Sequence, residues 1–583
     1  MREIGTSRTL CYKSPSMNAV SRSFIMTTCF WAALPISASA QPSVPAGGVL
    51  NAASFAQAGL PNSGIAQGSI FVVFGSGLGP AVVVLNSGFP LPTELAGTSV
   101  RVTVSGTSGS ALLLYTSATQ VSAIMPSNTP VGEGTLTVTY NGQTSPPSAV
   151  TVVGSSFGIF TRSQAGSGPA WVQHAGAALA SLFNSLVNPG RPGGVFTIYG
   201  TGLGAVADDR NPSPVQNLPA EVSVLVGNSP VTVLYSGRSP EFPGMDQINF
   251  QLSQDPPEGC YVPLAVKVGS VLSNFTSLSI SRSASACSVV GGIAAADLAK
   301  AAAGESLNIG IVTLGRIRVR IVAGILGTIE GKIDAGTGTI QRFPPATLFA
   351  ARGLLAGFGL SPYGTCTVFP FKTLGTIDEV VQPIGLDAGS AINVNGPLGR
   401  KTLAKASPGI YTTVIGGTLP LLPGLPGGGS NLPDYLEPGS YTIDNGGGGA
   451  DVGAFSATVQ IAPPLAWTNR DALTAAPRSQ PLTANWSGGT ANQIAVLTGL
   501  SQLPGGGGAG FNCVEQASKG NFTVPADVLS LLPVSATLFG APLGTLSLTT
   551  TLLVQDSDKP KVSGLDVFFV NYADSNTRNL GYR

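Results

Sequence analysis

The sequence contains few charged residues and very little that titrates near neutral pH. Asp, Glu, Lys and Arg together make up 10% of its 583 residues, and His174 is the only histidine. Acid–base catalysis depends on positioned carboxylates and imidazoles, so this composition offers few candidates for it. The net charge of +1 leaves no basic excess of the kind that binds nucleic acid, and we expect no nucleic-acid partner.

A hydrophobic run long enough to span a membrane is also missing from the N-terminal region. The apolar run at 24–36 falls short of the roughly 20 residues that a bilayer requires. It follows Arg22 and leads to an Ala-Ser-Ala site at 38–40, an order typical of a secretory signal peptide. We therefore predict a signal peptide over 1–40 that is cleaved before Gln41. Secretion or a cell-envelope location follows, with no transmembrane span after cleavage.

Cysteine is scarce, and the signal peptide contains two of the six. The four that remain are Cys260, Cys287, Cys366 and Cys513. In an exported chain they indicate two disulfides. Three pairings are possible, and we favour Cys260–Cys287 with Cys366–Cys513, because the first pair would close a single domain. Free buried thiols are the alternative, since a chain of this size can fold without crosslinks.

Glycine and proline, in contrast, are abundant. The chain has 77 Gly and 45 Pro, yet 43% of its residues are hydrophobic, which argues against disorder. Many short strands joined by tight turns account for both observations. We predict a mainly β fold of tandem immunoglobulin-like β-sandwiches, with a small α+β segment and further β-sandwich units.

An internal repeat supports the first part of that prediction. Three segments recur in the same order about 125 residues apart: 68–79 with 193–204, 111–126 with 231–252, and 134–152 with 261–280. The first pair reads GSIFVVFGSGLG and GGVFTIYGTGLG. A period of this length suits a sandwich domain and is too long for a solenoid repeat.

The glycines of these paired segments resemble a phosphate-binding loop, but their surroundings do not fit one. A nucleotide site needs a helix after the glycine turn, because the helix N-terminus binds the phosphate. PAVVVLNSGFPLP and AVADDRNPSPVQNLP follow here, and neither predicts a helix. We therefore assign six residues as structural turn glycines and expect no cofactor: Gly75, Gly77, Gly79, Gly200, Gly202 and Gly204.

The paired segments also resemble known families. GSIFVVFGSGLG and GGVFTIYGTGLG are similar to the opening strand and turn of IPT/TIG domains, which have an immunoglobulin-like fold. Together with NAASFAQAGLPNSG, YTSATQVSAIMP, FGIFT and DQINFQL, they resemble exported acidobacterial proteins named for an uncharacterised Solibacter-type C-terminal domain. The resemblance covers about 48–288. It implies export and paired immunoglobulin-like domains, and it brings no established activity or catalytic residues.

The strand and turn patterns predict a succession of units along the chain. Their boundaries are 41–155 and 156–288 for two immunoglobulin-like domains, 289–376 for a small α+β segment, and 377–465 and 466–583 for two β-sandwich units. Within the α+β segment, 294–304 and 347–357 are short helix candidates that end at glycine.

Arg316, Arg318 and Arg320 alternate along a predicted strand between these helices, so they fall on one face of it. Three guanidinium groups on one face could form an anion site. The alternatives are a solvated strand face or a charged edge that guards against aggregation.

Two short motifs resemble catalytic or metal-binding patterns. GSSFG at 154–158 matches a nucleophile elbow with Ser156, but no Asp or Glu lies between Ser156 and His174, so the required order of residues is not met. GGGGADVGA at 446–454 overlaps a calcium-binding nonapeptide with Asp451 in the acidic position, in a single copy. Asp208-Asp209 could also reach a calcium ion. We predict no catalytic residue and no metal site.

Sugar binding on a sandwich face would use exposed aromatic side chains, and Trp171, Trp467 and Trp486 are the tryptophan candidates, with a place in the core as the alternative for each. We predict an exported, non-catalytic modular protein with a binding, adhesion or structural role. An extracellular glycan or a cell-surface protein would be its partner. The alternative is a secreted hydrolase of glycans or other polymers, with its active part in 289–583.

Overall fold

The structure is a computed structural model that describes most of residues 41–583. The residues it does not describe are 1–40, 213, 215, 285, 288–293, 323–326, 346–360, 373–382, 421–428, 539 and 554–558. Strands dominate the described part, where the α-helices are Ala295–Ala302 and Ala526–Ser530. The predicted mainly β class is therefore confirmed. No helix of the described residues has the length and apolar character needed to cross a membrane.

The first sandwich consists of two sheets. In spatial order, one contains Val49–Asn51, Ile70–Phe74, Gln120–Ile124, Leu112–Thr116 and Val84–Leu85. The other contains Ile65–Ala66, Ser148–Val153, Gly132–Tyr140, Thr98–Val104 and Glu94–Leu95, with Gln143–Thr144 and Thr107–Ser110 paired beside them. Alternate residues such as Val100, Val102 and Val104 enter the core, while Arg101 between them is exposed. This period of two is what a sheet with one buried face requires.

The second sandwich repeats this plan. Its strands run in the order Gly158–Ile159, Val195–Thr201, Asp246–Gln251, Ser229–Arg238, Val222–Val226, Gly259–Val268 and Val271–Leu272. Val172–His174, Gln216–Asn217 and Thr276–Ile280 pair beside them. Ser229–Arg238 contains a register shift between Val233 and Tyr235 and pairs with both Asp246–Gln251 and Val222–Val226. It thus bends from one sheet of the sandwich into the other.

Strand pairing shows that the sequence repeat is a structural repeat. Ile70–Phe74 pairs antiparallel with Gln120–Ile124, and the corresponding Val195–Thr201 pairs antiparallel with Asp246–Gln251. The matched segments therefore occupy the same place in the two sandwiches.

Among the described residues, the C-terminal half is built around one sheet of 14 strands. Its main path is Thr365–Phe371, Gly508–Gln516, Gln493–Gln502, Thr545–Leu552, Val567–Asn579, Leu307–Val322, Thr328–Phe343, Ile410–Thr418, Gly399–Ser407, Ala391–Gly396, Gly439–Asp444 and Ser456–Ile461. Ile384–Gly385 and Asn431–Leu432 pair beside this path. Leu307–Val322 and Val567–Asn579 are parallel, and the other neighbours on the path are antiparallel.

This sheet crosses the boundaries predicted after residues 376 and 465. Thr365–Phe371 pairs with Gly508–Gln516, and Leu307–Val322 pairs with Val567–Asn579. The three segments assigned to 289–583 therefore share one sheet instead of forming successive sandwiches. Pairings between residues more than 140 positions apart cannot be recognised from local sequence patterns. For this reason the strand and turn patterns suggested separate units.

Smaller sheets cover one part of the large sheet. They are Ala466–Trp467 with Leu482–Ser487 and Asn521–Val524, Ala475–Ala476 with Gly581–Tyr582, and Thr537–Leu538 with Ala541–Pro542. One hydrophobic core there includes Trp467, Trp486 and Leu548, together with Leu225 and Phe275 of the second sandwich. The second sandwich therefore shares a core with the C-terminal half. A separate core includes Tyr411, Tyr441 and Phe568.

The helix expected at 294–304 is present as Ala295–Ala302, and Gly304 follows it with a φ of +98°. The one expected at 347–357 lies outside the described residues. Both favoured disulfides are present, Cys260–Cys287 with Cα atoms 5.0 Å apart and Cys366–Cys513 with Cα atoms 4.0 Å apart. The second links directly opposite residues of adjacent antiparallel strands.

Candidate functional site

A cleft of about 1050 Å³ opens between the two N-terminal sandwiches. Its aromatic lining from the first sandwich consists of Phe55, Phe74, Phe89 and Tyr115. The second sandwich contributes Phe160, Trp171, Tyr199 and Phe242. A concave site of this size lined by apolar and aromatic side chains is the usual form of a ligand site.

The alternation of side chains along two equivalent strands directs aromatic residues into the cleft. In Ile70–Phe74, Phe71 and Val73 enter the core of the first sandwich, so Phe74 lies on the opposite face and lines the cleft. In the equivalent strand Val195–Thr201, Phe196 and Ile198 enter the second core, and Tyr199 faces the cleft. Phe74 and Tyr199 occupy the same position of the sequence repeat. Each directly precedes a glycine-rich turn, here called the glycine corner, which spans 75–79 in the first repeat and 200–204 in the second.

The rings at the cleft are partly open to solvent. Phe89 and Phe242, from opposite sandwiches, meet edge to face with centroids 6.1 Å apart and are 44% and 46% exposed. Trp171 is 39% exposed and packs edge to face on Phe183 at 5.4 Å. Exposed apolar rings gathered in one concavity mark an interaction site, because solvation of such surface is unfavourable.

Neutral polar groups accompany the rings. They are Asn86, Ser87, Gln120, Ser122, Thr161, Gln164 and Gln173. The hydroxyl of Tyr199 donates to Oε1 of Gln173 at 3.2 Å. Burial raises the pKa of Tyr115, and burial together with the charge of Glu241 raises the pKa of Tyr199. Both phenols are therefore uncharged hydrogen-bonding groups at neutral pH.

The glycine corner of the second repeat holds a carboxylate of the chain itself. The amides of Gly202 and Leu203 both donate to Oδ2 of Asp246 at 2.7 Å. Arg238 bonds to Oδ1 of Asp246 at 2.5 Å and, through Nη2, to the carbonyls of Gly68 and Gly204. The amides that a phosphate would need are thus already occupied, and the same cluster ties the second sandwich to the first.

The six glycines assigned to turns divide into two kinds. Gly77, Gly202 and Gly204 have φ of +65°, +114° and +136°, a conformation that disfavours side chains. Gly75, Gly79 and Gly200 lack a positive φ, and Gly200 lies within the strand Val195–Thr201. For these three the reason for glycine is space: a Cβ at Gly200 would lie 2.2 Å from Cζ of Phe157.

Further hydrogen bonds fix the two walls of the cleft. Asn51 donates to the carbonyls of Ser156 and Thr201, while the amide of Ile70 donates to Oγ1 of Thr201 at 2.8 Å. Asp209 accepts from both the amide and the hydroxyl of Ser127 at 2.7 Å. These bonds run between the sandwiches, so the cleft is organised before any ligand enters.

The residues considered for catalysis or metal binding have structural partners. The hydroxyl of Ser156 is buried and donates to the carbonyl of Asn62 at 3.1 Å. Nε2 of His174 lies 3.2 Å from the carbonyl of Asn188, and burial lowers the pKa of His174. Asp208 accepts from the side chain of Asn211.

Asp451, considered for calcium, accepts from the amide of Asp387 at 2.8 Å. Within the described residues, no group of three or more His, Cys, Asp and Glu side chains is arranged to hold a metal ion.

Arg316, Arg318 and Arg320 lie in Leu307–Val322, which is paired on both sides, so the alternative of a charged edge does not apply. Each has a carboxylate partner within the chain. Arg316 forms a bidentate pair with Asp334 at 2.6 and 2.8 Å, Arg318 pairs with Asp574, and Arg320 pairs with Glu330.

Burial opposes ionisation of Asp334, but its bonds from Arg316 and from the amides of Leu436 and Tyr435 outweigh that effect and hold its pKa below the ordinary value. The anion at Arg316 is therefore a side chain of the protein.

Of the three tryptophans considered for sugar binding, only Trp171 lines the cleft. Trp467 and Trp486 are 7% and 5% exposed and lie opposite each other in adjacent strands of a hydrophobic core. The other seven aromatic residues of the cleft were missed. Two of them, Phe74 and Tyr199, could have been predicted from the repeat. Both are aromatic residues at the same repeat position, on the strand face opposite to the core.

Comparisons with known proteins add little to this geometry. No protein-family model matches the chain, and no curated protein matches it. SGBP-B of the Bacteroides ovatus mixed-linkage glucan utilization locus, solved with a mixed-linkage heptasaccharide, is 12% identical; the alignment covers 80% of this chain and 87% of that one, with a TM-score of 0.12.

Domains 4–9 of the surface layer protein SbsC are 9% identical, with 91% and 83% coverage and a TM-score of 0.14. The titin immunoglobulin tandem A164-A165 is 8% identical, with 38% and 91% coverage and a TM-score of 0.12. At these scores the alignments do not bear on function, and the fold assignment rests on the sheet topology.

Proposed function

We propose that this protein is an exported, non-catalytic binding protein that holds a glycan in the cleft between its two N-terminal sandwiches. The observation that supports the proposal most directly is the lining of that cleft. Eight aromatic rings from both sandwiches surround a concavity that also presents amide and hydroxyl groups.

This combination suits the chemistry of sugars. A pyranose ring has apolar C–H faces, which pack on aromatic rings, and a rim of hydroxyl groups, which exchange hydrogen bonds with amides and hydroxyls. Aromatic side chains supply large contact areas at a low cost in conformational entropy. The interdomain bonds of Arg238 and Asn51 keep the walls in place, so little ordering is required on binding.

The polar groups of the cleft support binding more than hydrolysis. Glycosidases use two carboxyl groups that flank the scissile bond. Among the described residues that line the cleft, Glu241 is the only one with a carboxyl group. In the C-terminal half, Asp334 and Asp574 are paired with arginines, an arrangement that suits a structural role.

Export is part of the proposal. The predicted signal peptide over 1–40 supports it, and the two disulfides fit an oxidising compartment such as the periplasm or the exterior of the cell. A glycan partner would be encountered in either place.

Two assays of the purified protein distinguish glycan binding from hydrolysis. One is an array of cell-wall and extracellular glycans, and the other is a broad screen for hydrolase activity. We expect retention on at least one glycan class and no release of product. Turnover of any polymer would instead favour the secreted hydrolase, and the absence of binding across the array would contradict the glycan-binding role.

A further inference from the structure

The cleft is asymmetric in charge. Glu241 is the one residue with a carboxyl group among its described lining, and the lining includes no Lys, Arg or His. Glu241 is exposed and precedes Phe242, whose ring meets Phe89 across the opening. Its charge is felt within the cleft, because it contributes to the raised pKa of Tyr199.

Two arginines bond to the sandwiches that form the cleft, but neither belongs to its lining. Arg238 is buried, pairs with Asp246 and has 4% of its side chain exposed. Arg210 donates through Nε to the carbonyl of Leu91 at 3.1 Å. Within the described part of the chain, no hydrogen bond or ion pair engages the carboxylate of Glu241, so it is available to a ligand.

The aromatic rings of the cleft also favour a positively charged ligand. The face of an aromatic ring carries negative potential, so ammonium groups are attracted to it, and the attraction is greatest where water is partly excluded. Trp171, Tyr199 and Phe242 all lie in the lining that includes Glu241. A carboxylate beside aromatic rings favours an organic cation over a neutral group and disfavours an anion.

We propose that the cleft selects glycans with free amino groups, such as chains of glucosamine, over neutral and acidic glycans, and that Glu241 is the residue that determines this specificity. The inference rests on the proposed glycan-binding function. In it, the sugar faces pack on the aromatic walls and the ammonium group of one unit meets the Glu241 carboxylate at the opening.

Calorimetric titration of the protein with β-1,4-linked oligomers of equal length tests the preference. The oligomers consist of glucosamine, N-acetylglucosamine, glucose or glucuronic acid. We expect the glucosamine oligomer to bind about three- to tenfold more tightly than the acetylated and neutral ones at low salt, and the glucuronic acid oligomer to bind most weakly. The advantage should shrink as salt is added, because an exposed charge pair is screened.

Glu241→Gln should remove most of that advantage and leave the affinity for the acetylated oligomer within about twofold of wild type. Glu221→Gln is the matched control, because Glu221 is an exposed glutamate of the same sandwich that does not line the cleft. It removes the same charge from the protein and should leave the preference intact.

The outcomes separate the two proposals. If the glucose or acetylated oligomer binds as tightly as the glucosamine oligomer, or if Glu241→Gln and Glu221→Gln behave alike, the preference is overturned and the glycan-binding function stands. If no oligomer binds but the array retains another glycan, the preference is overturned and the glycan-binding function stands. If neither the oligomers nor any glycan of the array binds, both proposals fail.

Discussion

The guanidinium of Arg238 bonds to the buried carboxylate of Asp246 at 2.5 Å and, through its other terminal nitrogen, to the carbonyl of Gly68 in the neighbouring sandwich. Asp246 in turn accepts the amides of Gly202 and Leu203 at the glycine corner. One ion pair thus serves both the turn that ends a strand of the second sandwich and the junction that forms the cleft.

Replacement of Arg238 by Met should destabilise the protein strongly, because it leaves Asp246 buried without its counter-ion. Breaking a buried pair in this way costs about 3–5 kcal/mol. Thermal unfolding followed by circular dichroism measures the effect. The exposed Arg101→Met is the control and should change stability by less than about 0.5 kcal/mol. Equal melting temperatures for the two variants would show that the pair does not hold the junction.

Gly202→Ala should lower the melting temperature, because the added Cβ would lie 2.2 Å from the carbonyl oxygen of Ser156 in a backbone with φ of +114°. Such a position costs on the order of 1 kcal/mol or more. Gly109→Ala is the matched control, since a Cβ there meets nothing within 4 Å. ATP and NAD should leave the wild-type melting temperature unchanged. A thermal shift with either nucleotide that Gly202→Ala abolishes would restore the phosphate-loop interpretation.

The tryptophans should separate binding from folding. Trp171→Ala should weaken glycan binding at least severalfold with little change in melting temperature, because the ring is 39% exposed at the cleft. Trp486→Ala should cost about 3–5 kcal/mol of stability, because this ring is buried and its Nε1 donates to the carbonyl of Ala517 at 2.7 Å. Loss of stability in Trp171→Ala comparable to that in Trp486→Ala would place Trp171 in the core instead.

The exported protein should begin at Gln41. Cleavage after the Ala-Ser-Ala site at 38–40 is what the signal-peptide pattern predicts. Mass spectrometry of protein recovered from outside the cytoplasm measures the N-terminus directly. An N-terminus that still includes the residues before Gln41, such as intact Met1, would contradict both the cleavage site and the export route.

Local patterns accounted for the N-terminal half. The spacing of apolar residues and the match of 68–79 to 193–204 predicted two equivalent sandwiches, and the pairing of Ile70–Phe74 and Val195–Thr201 agrees with that. The C-terminal sheet depends on the contact of Leu307–Val322 with Val567–Asn579, which no local pattern encodes. The division of 289–583 into successive units was wrong in this respect.

The cleft was only partly predictable for a similar reason. Trp171 was a candidate because tryptophan is common in sugar sites, but its neighbours come from distant segments that the interdomain bonds bring together. Phe89 and Phe242 are 153 positions apart in the sequence and meet only because the sandwiches dock. The partners of Arg316 and Arg318, Asp334 and Asp574, are set by sheet register, which likewise emerges only in the fold.

The central claim is that the cleft between the sandwiches is the binding site. Calorimetric titration of the tightest-binding array glycan into wild-type protein and into the double variant Trp171→Ala/Phe242→Ala tests it most directly, with thermal melting to confirm that both proteins are folded. We expect one binding site per chain in the wild type and at least about tenfold weaker binding in the folded double variant, because the variant removes two aromatic contacts from the same wall. Equal affinity in the two folded proteins would contradict the account.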